Sequence, residues 1–380
     1  MKIGPFKFVR PFQCEVLIYD DICSNWLVRS VPCNITVEVI STRFVFPIFL
    51  SFKFLRRLLW FLLTFPKHRG SLFLGYISVL IGVIQPKIIV TGADNNTALA
   101  TFAQSHPNIV TIFVQTALRD VAGGFPTGIR VPNYYALGES EKLIFSSLQV
   151  QTDIYKPWGS LKLGYALAEP TREPFHHIDL CFVSDHRPEQ AALNLPILGQ
   201  MIKETNDLLF KHTCKYAEKF GLTVRILAKS REPVWHEKER QHYERLSHTY
   251  PFELVVAEKS SEALETYHAL FASEVVINNA STLGFEALAI GKKVLFGAPM
   301  TAGLIERWGI SVYFDQVPRL IAVERNNLLH FEEKLNILRS LSVAEYHRKT
   351  SETAQHLITQ DPRNPPHQQL QEVIRKHLLS

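Results

Sequence analysis

A chain of 380 residues is long enough for two domains and can bury its own cores without covalent staples. Its 46% hydrophobic and 20% charged residues exclude wholesale disorder. Five scattered cysteines, none in a Cys-x-x-Cys pair, exclude a disulfide scaffold, a zinc ribbon and a thioredoxin-type site and read as reduced thiols. The net charge of +5 is uneven: residues 1–90 hold eleven Lys/Arg against four Asp/Glu, or +7, leaving −2 for the rest. A basic first quarter suits a membrane surface, a nucleic acid or an anionic substrate, or simply a solvated helix edge.

The start of the chain lacks the long apolar core and small-residue cleavage site of a secretion signal, so a cytoplasmic protein is expected. Glu15–Asp20 and Asn34–Ile40 read as strands. Helical patterns follow over Pro47–Phe65 and Leu72–Ile84. The aromatic-rich stretch Phe44–Phe65 carries Lys53, Arg56 and Arg57 at mid-span, too costly for a membrane crossing. Leu72–Ile84 is shorter than the roughly 20 residues a crossing needs. For the first stretch two readings stay open. One is a helix lying on the inner face of the cytoplasmic membrane with its cations at anionic headgroups. The other is a core helix whose cations snorkel to its edge.

Lys87–Thr91 reads as a strand, Asn96–Gln104 as a helix and Val110–Gln115 as a strand, the alternation of a parallel sheet with helices on its faces. Prolines and glycines break the rhythm over 122–175, with strand-like pieces at Val150–Thr152 and Leu161–Gly164. The alternation resumes with strands at Ile178–Ser184, Thr223–Ala228, Phe252–Ala257, Glu274–Asn278 and Lys293–Phe296. Helices at 195–220, 231–249, 260–272 and 282–290 separate them, the first and last stopped by Gly221 and Gly291. The expectation is an α/β protein of two doubly wound, Rossmann-like domains facing across a cleft: residues 1–150, a linker at 151–175, residues 176–325, and C-terminal helices at 326–380. Ligands of such sheets bind at the carboxyl ends of the strands, so functional residues are sought just after strands.

The sharpest pattern runs from Val275 to Phe296. A buried strand empties into Asn278-Asn279-Ala280, and a helix opens at Ser281 or Thr282. Either hydroxyl can cap that helix, and its first free amides suit a diphosphate. Gly284 permits a close approach of backbone or ligand, and Glu286 suits a ribose diol or, more plainly, solvent near the helix start.

Ser281-Thr282-Leu-Gly284-Phe-Glu286-Ala resembles the Ser-Thr-Leu-Gly-x-Glu-Ala run in the donor half of glycosyltransferases with the GT-B fold, in particular surface-carbohydrate and O-antigen biosynthesis proteins and the related capsule and Kdo-type transferases. Thr91-Gly-Ala-Asp94-Asn95-Asn96 resembles that family's strand-end Asp-Asn-Asn element. Gln115-Thr-Ala-Leu-Arg119 resembles its Gln-Asn-Gly-x-Arg element, with Thr116 and Ala117 as departures. The resemblance implies a nucleotide-sugar donor held mainly by the second domain and an acceptor held mainly by the first, where Asn95, Asn96 and Gln115 lie.

Asp94, at a strand end, is a candidate general base; it also suits a helix cap or its own loop. Arg119 is placed to neutralise an anionic acceptor or leaving phosphate, or to pair with a carboxylate. Ser184 and Arg187, after the first strand of the second domain, and Lys229, after the next, are candidate phosphate contacts. No His-x-x-x-His ligand set, nucleophile elbow, P-loop, Gly-x-Gly-x-x-Gly fingerprint or nucleic-acid motif is present, so neither a metal nor a cofactor is expected. The leading expectation is transfer of a sugar from a nucleotide donor to a surface glycan or lipid-linked precursor. A nucleotide-sugar epimerase of the same build and a non-catalytic nucleotide-sugar or glycan binder are the alternatives.

Overall fold

Short runs rich in β-branched and aromatic residues make the strands, and the central ones are buried. In chain order these are β1 (Phe6–Val9), β2 (Val16–Tyr19), β3 (Val37–Ile40), β4 (Phe46–Phe49), β5 (Ile88–Thr91), β6 (Val110–Val114), β7 (Asn133–Ala136), β8 (Ile154–Pro157), β9 (Ile178–Val183), β10 (Val224–Leu227), β11 (Glu253–Val255), β12 (Ser273–Asn278) and β13 (Lys293–Phe296). The computed structural model describes residues 6–10, 12–42, 46–64, 72–119, 125–169, 175–186, 196–229, 233–256 and 264–379.

Two parallel sheets carry the molecule. The first has the order β3-β2-β5-β6-β7-β8 and the second β11-β10-β9-β12-β13. All four residues of β2, β5 and β10 are buried, as strands covered by helices on both faces must be. This is the expected doubly wound, GT-B-like pair of domains. In the second sheet the chain winds outward from β9 through β10 to β11, then returns to the other side of β9 as β12 and β13. The strand order therefore reverses between β9 and β12, and the crevice at their carboxyl ends is the natural ligand position. The first sheet reverses in the same way between β2 and β5.

Three expectations are corrected. Pro47 does not open a helix: Phe46–Phe49 pairs in parallel with Phe6–Val9, and the helix begins at Phe52. A two-stranded sheet is all edge, where proline is tolerated. Residues 151–175 are not merely a connection: Ile154–Pro157 is the edge strand of the first sheet, in register with Asn133–Ala136. Leu161–Gly164, read as strand-like, lies in the helix Leu161–Ala168, which Ser160 caps by accepting from the Leu163 amide (3.3 Å).

The C-terminal helices serve both domains. Leu328–Ser340 and Val343–Leu357 lie against the second. The chain then crosses over, and Pro366–Leu379 buries Leu370 and Ile374 among Val16, Ile18, Val90 and Ile112 of the first. At the crossing the Thr359 amide donates to Leu137 O (2.8 Å). Gly159 adopts φ +97° there, and a β-carbon on it would overlap the Thr359 carbonyl. All five cysteines are free thiols.

Candidate functional site

The helix Thr282–Ala289 opens at the second sheet's reversal point, one step beyond β12. Ser281 stands at the cap position with extended backbone, but its hydroxyl makes no capping bond. Thr282 does not cap either; its hydroxyl accepts from the Leu118 amide of the first domain (3.1 Å). The amides of Thr282 and Leu283 find no acceptor among the described residues. Gly284 is required by packing rather than by a ligand, since a β-carbon there would overlap the Asn278 side chain. Asn278 in turn donates to Ser281 O (3.1 Å) and holds the turn.

Two cavities of about 300 Å³ each flank this helix start. One is lined by Ala117, Leu118, Asp185, Lys229, Ser281 and Thr282, with Trp308 and Tyr313 on its far side. The other is lined by Thr116, Ala117, Lys162, Ser184, Lys229, Thr282 and Glu286 among others. Residues of both domains therefore face the same crevice. Lys229 reaches both cavities and pairs with the buried Asp185. Lys162, from the helix after β8, is half-buried and makes no hydrogen bond or ion pair among the described residues. Two ammonium groups, that of Lys229 already paired with Asp185, and the opening turn of a helix converge on one space, where helix amides favour an anion.

The other expected residues lie elsewhere or are already engaged. Ser184 donates to Glu239 and accepts from Tyr243 Oη (2.7 Å) and the His186 amide (3.1 Å), so its hydroxyl belongs to the loop. Arg187 lies outside the described residues. Glu286 was expected on a ribose or in solvent. It is buried instead, with one oxygen accepting from Ser160 of the first domain and the other from Tyr267 (2.8 Å), and burial pushes its pKa up.

Asp94 and Arg119 were expected to meet the acceptor or the leaving group. Asp94 is fully buried, its two oxygens held by the Arg119 guanidinium (Nε to Oδ2, 2.9 Å) and its Oδ2 also accepting from Tyr134 Oη (2.8 Å). Burial opposes the Arg119 charge, but the adjoining Asp94 outweighs it and holds the guanidinium above its ordinary range. Neither residue lines the two cavities. Gln115, expected on the acceptor side, is buried; it accepts from the Leu137 amide (2.8 Å) and donates to Glu141 Oε2 (2.8 Å). Asn96 caps the helix Thr97–Ser105 by accepting from the Leu99 amide (2.9 Å). Asn95 beside it is half-buried and has a partner of its own.

Tyr313 completes this network from the second domain. Its hydroxyl accepts from the Arg119 amide (3.0 Å) and lies 2.7 Å from both Arg119 O and Glu141 Oε2. One hydroxyl proton cannot serve two acceptors. A proton on Glu141 resolves the conflict, and burial pushes that carboxyl up to about 7. Glu141, Tyr313, Tyr134 and Lys162 escaped the sequence reading because no motif spacing links residues drawn from four separate elements.

At the opposite, amino-terminal edge of the second sheet, His177, Asp179 and Glu274 place one ligand atom each within 4.8 Å of one another. No sequence spacing announces that group. Asp179 already accepts from the Thr223 amide (2.8 Å) and hydroxyl (2.6 Å), and Arg339 pairs with Glu274 (3.4 Å), which counters a cation there.

Residues 189–313 match the model of a family described as "putative O-antigen biosynthesis protein". The match covers a third of the chain and contains the helix start at Thr282. None of the curated proteins matches. Solved structures share the fold over nearly the whole length at low identity. One is a putative UDP-N-acetylglucosamine 2-epimerase from Listeria monocytogenes, 13% identical, covering 97% of each chain with a TM-score of 0.52. Another is a UDP-GlcNAc 2-epimerase from Methanocaldococcus jannaschii, solved in complex with UDP-GlcNAc and UDP, 11% identical, covering 98% of this chain and 100% of that one with a TM-score of 0.53. A third is the Wall Teichoic Acid Polymerase TagF, 8% identical, covering 96% of this chain and 89% of that one with a TM-score of 0.50. The resemblance read from the helix start thus recurs in the family match, and the fold is shared with two UDP-GlcNAc 2-epimerases and a wall teichoic acid polymerase.

Proposed function

We infer that this protein transfers a sugar from a nucleotide-sugar donor to a surface glycan or lipid-linked precursor. The observation that carries the reading is the helix start at Thr282, with unengaged amides and with Lys229 and Lys162 on the cavities beside it. A diphosphate seated there meets the opening amides of the helix, the Lys162 ammonium and the Lys229 ammonium, which it shares with Asp185. As the glycosidic bond to the phosphate breaks, negative charge grows on the leaving oxygen, and prearranged amides and ammonium groups stabilise it without reorganising. This reading calls on no metal or cofactor. The family match to an O-antigen biosynthesis protein and the occurrence of UDP-GlcNAc in a protein of the same fold support it. The carboxylates lining the cavities are Asp185, paired with Lys229, and Glu286, tied to Ser160 and Tyr267; of these Asp185, at the edge of open space, is the acid–base candidate rather than Asp94.

A thermal-shift panel of nucleoside diphosphates tests the donor site. A ligand at about a hundred times its Kd stabilises by roughly 2.7 kcal/mol, so at least one diphosphate raises the melting temperature. A flat panel contradicts the reading. Incubation with a matching nucleotide-sugar and no acceptor separates the chemistries: release of an epimerised sugar nucleotide replaces the transferase with an epimerase.

A further inference from the structure

Between Glu38 and Asp94 the chain carries seven Lys/Arg and no Asp or Glu. Within this stretch the helices Phe52–Thr64 and Leu72–Ile84 pack against each other. Gly75 receives the Phe61 ring, where any β-carbon would overlap it, and Arg57 donates to the Gly82 carbonyl. Leu72–Ile84 is anchored in the first domain, with Ile77, Leu80, Ile81 and Ile84 fully buried. Phe52–Thr64 has only one covered side. Phe52 is 80% exposed, Leu63 71%, Trp60 65%, and Leu55, Leu59 and Leu62 are each more than half exposed. Leu50, Leu72 and Phe8 add to the same apolar exposure. Scattered apolar residues are ordinary on a surface, but six large ones on a single 13-residue helix call for a partner.

We propose that this face docks on the surface of a bilayer containing anionic lipid. Among the described residues no helix is long and apolar enough to cross a membrane, so the contact is one of lying on it. Arg56, one turn from the exposed Phe52, Leu59 and Trp60, and Lys53, at the edge of the face where it donates to Gln85 Oε1 (3.2 Å), reach lipid phosphates while Leu59, Leu62 and Leu63 enter the acyl boundary. Trp60, apolar with one polar edge, suits the headgroup level. A groove of about 550 Å³ between the two helices is lined by Arg56, Arg57, Trp60, Phe61, Gly75 and Val79, with cations beside an apolar floor. A second copy of the chain is a poorer occupant. Two copies meeting through the same face would oppose their cations, and the stretch offers no carboxylate to compensate.

The placement is consistent with work at a membrane. Leu72–Ile84 leads directly into β5, so its last turn lies at the amino end of the first sheet and its first turn, about 20 Å away, at the carboxyl end that faces the cleft. The docking surface is separate from the cleft, and the inference stands whether or not the cleft transfers sugar.

Sedimentation of the full chain with vesicles decides it. With phosphatidylcholine–phosphatidylglycerol vesicles the protein pellets, and with phosphatidylcholine alone it pellets far less. Lys53→Gln together with Arg56→Gln lowers partitioning by about fivefold per cation removed. Leu59→Ser together with Leu63→Ser lowers it at least tenfold, and since both positions are exposed in the fold the variant keeps its melting temperature. Equal sedimentation with and without phosphatidylglycerol overturns the proposal. So does a wild-type dimer that the leucine variant splits while vesicle binding is absent in both.

Discussion

The carboxyl ends of the two sheets carry similar polar residues but use them differently. After β5 and β6 of the first sheet, Asp94, Gln115 and Arg119 are tied to Tyr134, Glu141 and Tyr313 in a closed network with no group left for a ligand. After β9, β10 and β12 of the second, Asp185 and Lys229 pair at the edge of open space, and the amides of Thr282 and Leu283, beside it, have no acceptor among the described residues. A polar residue at a strand end is therefore evidence of position and not of role. In the first domain those residues hold the contact with Tyr313; in the second they line open space. Glu286 shows the same division within one helix, since one turn beyond the open amides it is a tie to Ser160 rather than a free carboxylate.

The largest expected effect tests the bracing half of that contrast. Asp94→Asn leaves the Arg119 charge buried without its partner, and loss of one member of a buried pair costs about 3–5 kcal/mol. Urea unfolding measures it. A fully stable variant that binds donor but does not turn over would restore Asp94 as a base and erase the contrast.

The lining half is tested at Lys162, which makes no hydrogen bond or ion pair among the described residues, although its charge favours the ionised form of the buried Glu286 beside it. Lys162→Met weakens a nucleoside diphosphate by about tenfold to a hundredfold, the worth of a charge-assisted hydrogen bond, and leaves stability almost unchanged. Calorimetric affinity equal to wild type places the phosphates elsewhere.

Glu141 sharpens the comparison through pH. Its carboxyl stands at about 7 in the fold against an ordinary 4.5, so across that window the folded protein holds a proton the unfolded chain has released. Stability falls as pH rises from about 4.5 to 7 and is flat in this respect above. Glu141→Gln removes the slope, a gain at pH 8 relative to pH 4 of up to roughly 3 kcal/mol, read as a melting temperature that no longer falls over that range. Parallel pH profiles of variant and wild type would show that Glu141 does not hold this proton.

The smallest effect separates two serines at helix starts. Ser342 forms a reciprocal capping box with Glu345, whereas the Ser281 hydroxyl caps nothing. Ser342→Ala costs about 1 kcal/mol and Ser281→Ala less than about 0.5 kcal/mol. Equal losses would mean that Ser281 caps the helix and covers the amides assigned to the ligand.

Much of this architecture is written locally. Buried β-branched runs and the stops at Gly221 and Gly291, both with positive φ, mark the second domain, and its strands fall within a residue or two of expectation. Residues 125–169 were harder to read. β7 and β8 are four-residue strands set among prolines, and Tyr134 and Tyr135 owe their burial to residues on other elements. Leu161-Lys-Leu alternates like a strand, and only Ser160 before it signals a helix. The helix start at Thr282 was legible because strand, small polar turn and helix are contiguous. The engagement of Asp94 was not, because its partners Arg119 and Tyr134 and their neighbour Tyr313 are 25 to 219 positions away, and only the closed fold brings them together.

Amide hydrogen exchange of the intact protein, with and without a nucleoside diphosphate, reports directly on the amides proposed to hold the pyrophosphate. Slowed exchange at Thr282 and Leu283, with little change around Asp94 and Arg119, is the predicted result. Unaltered exchange at Thr282 and Leu283 while the nucleotide is demonstrably bound would contradict it.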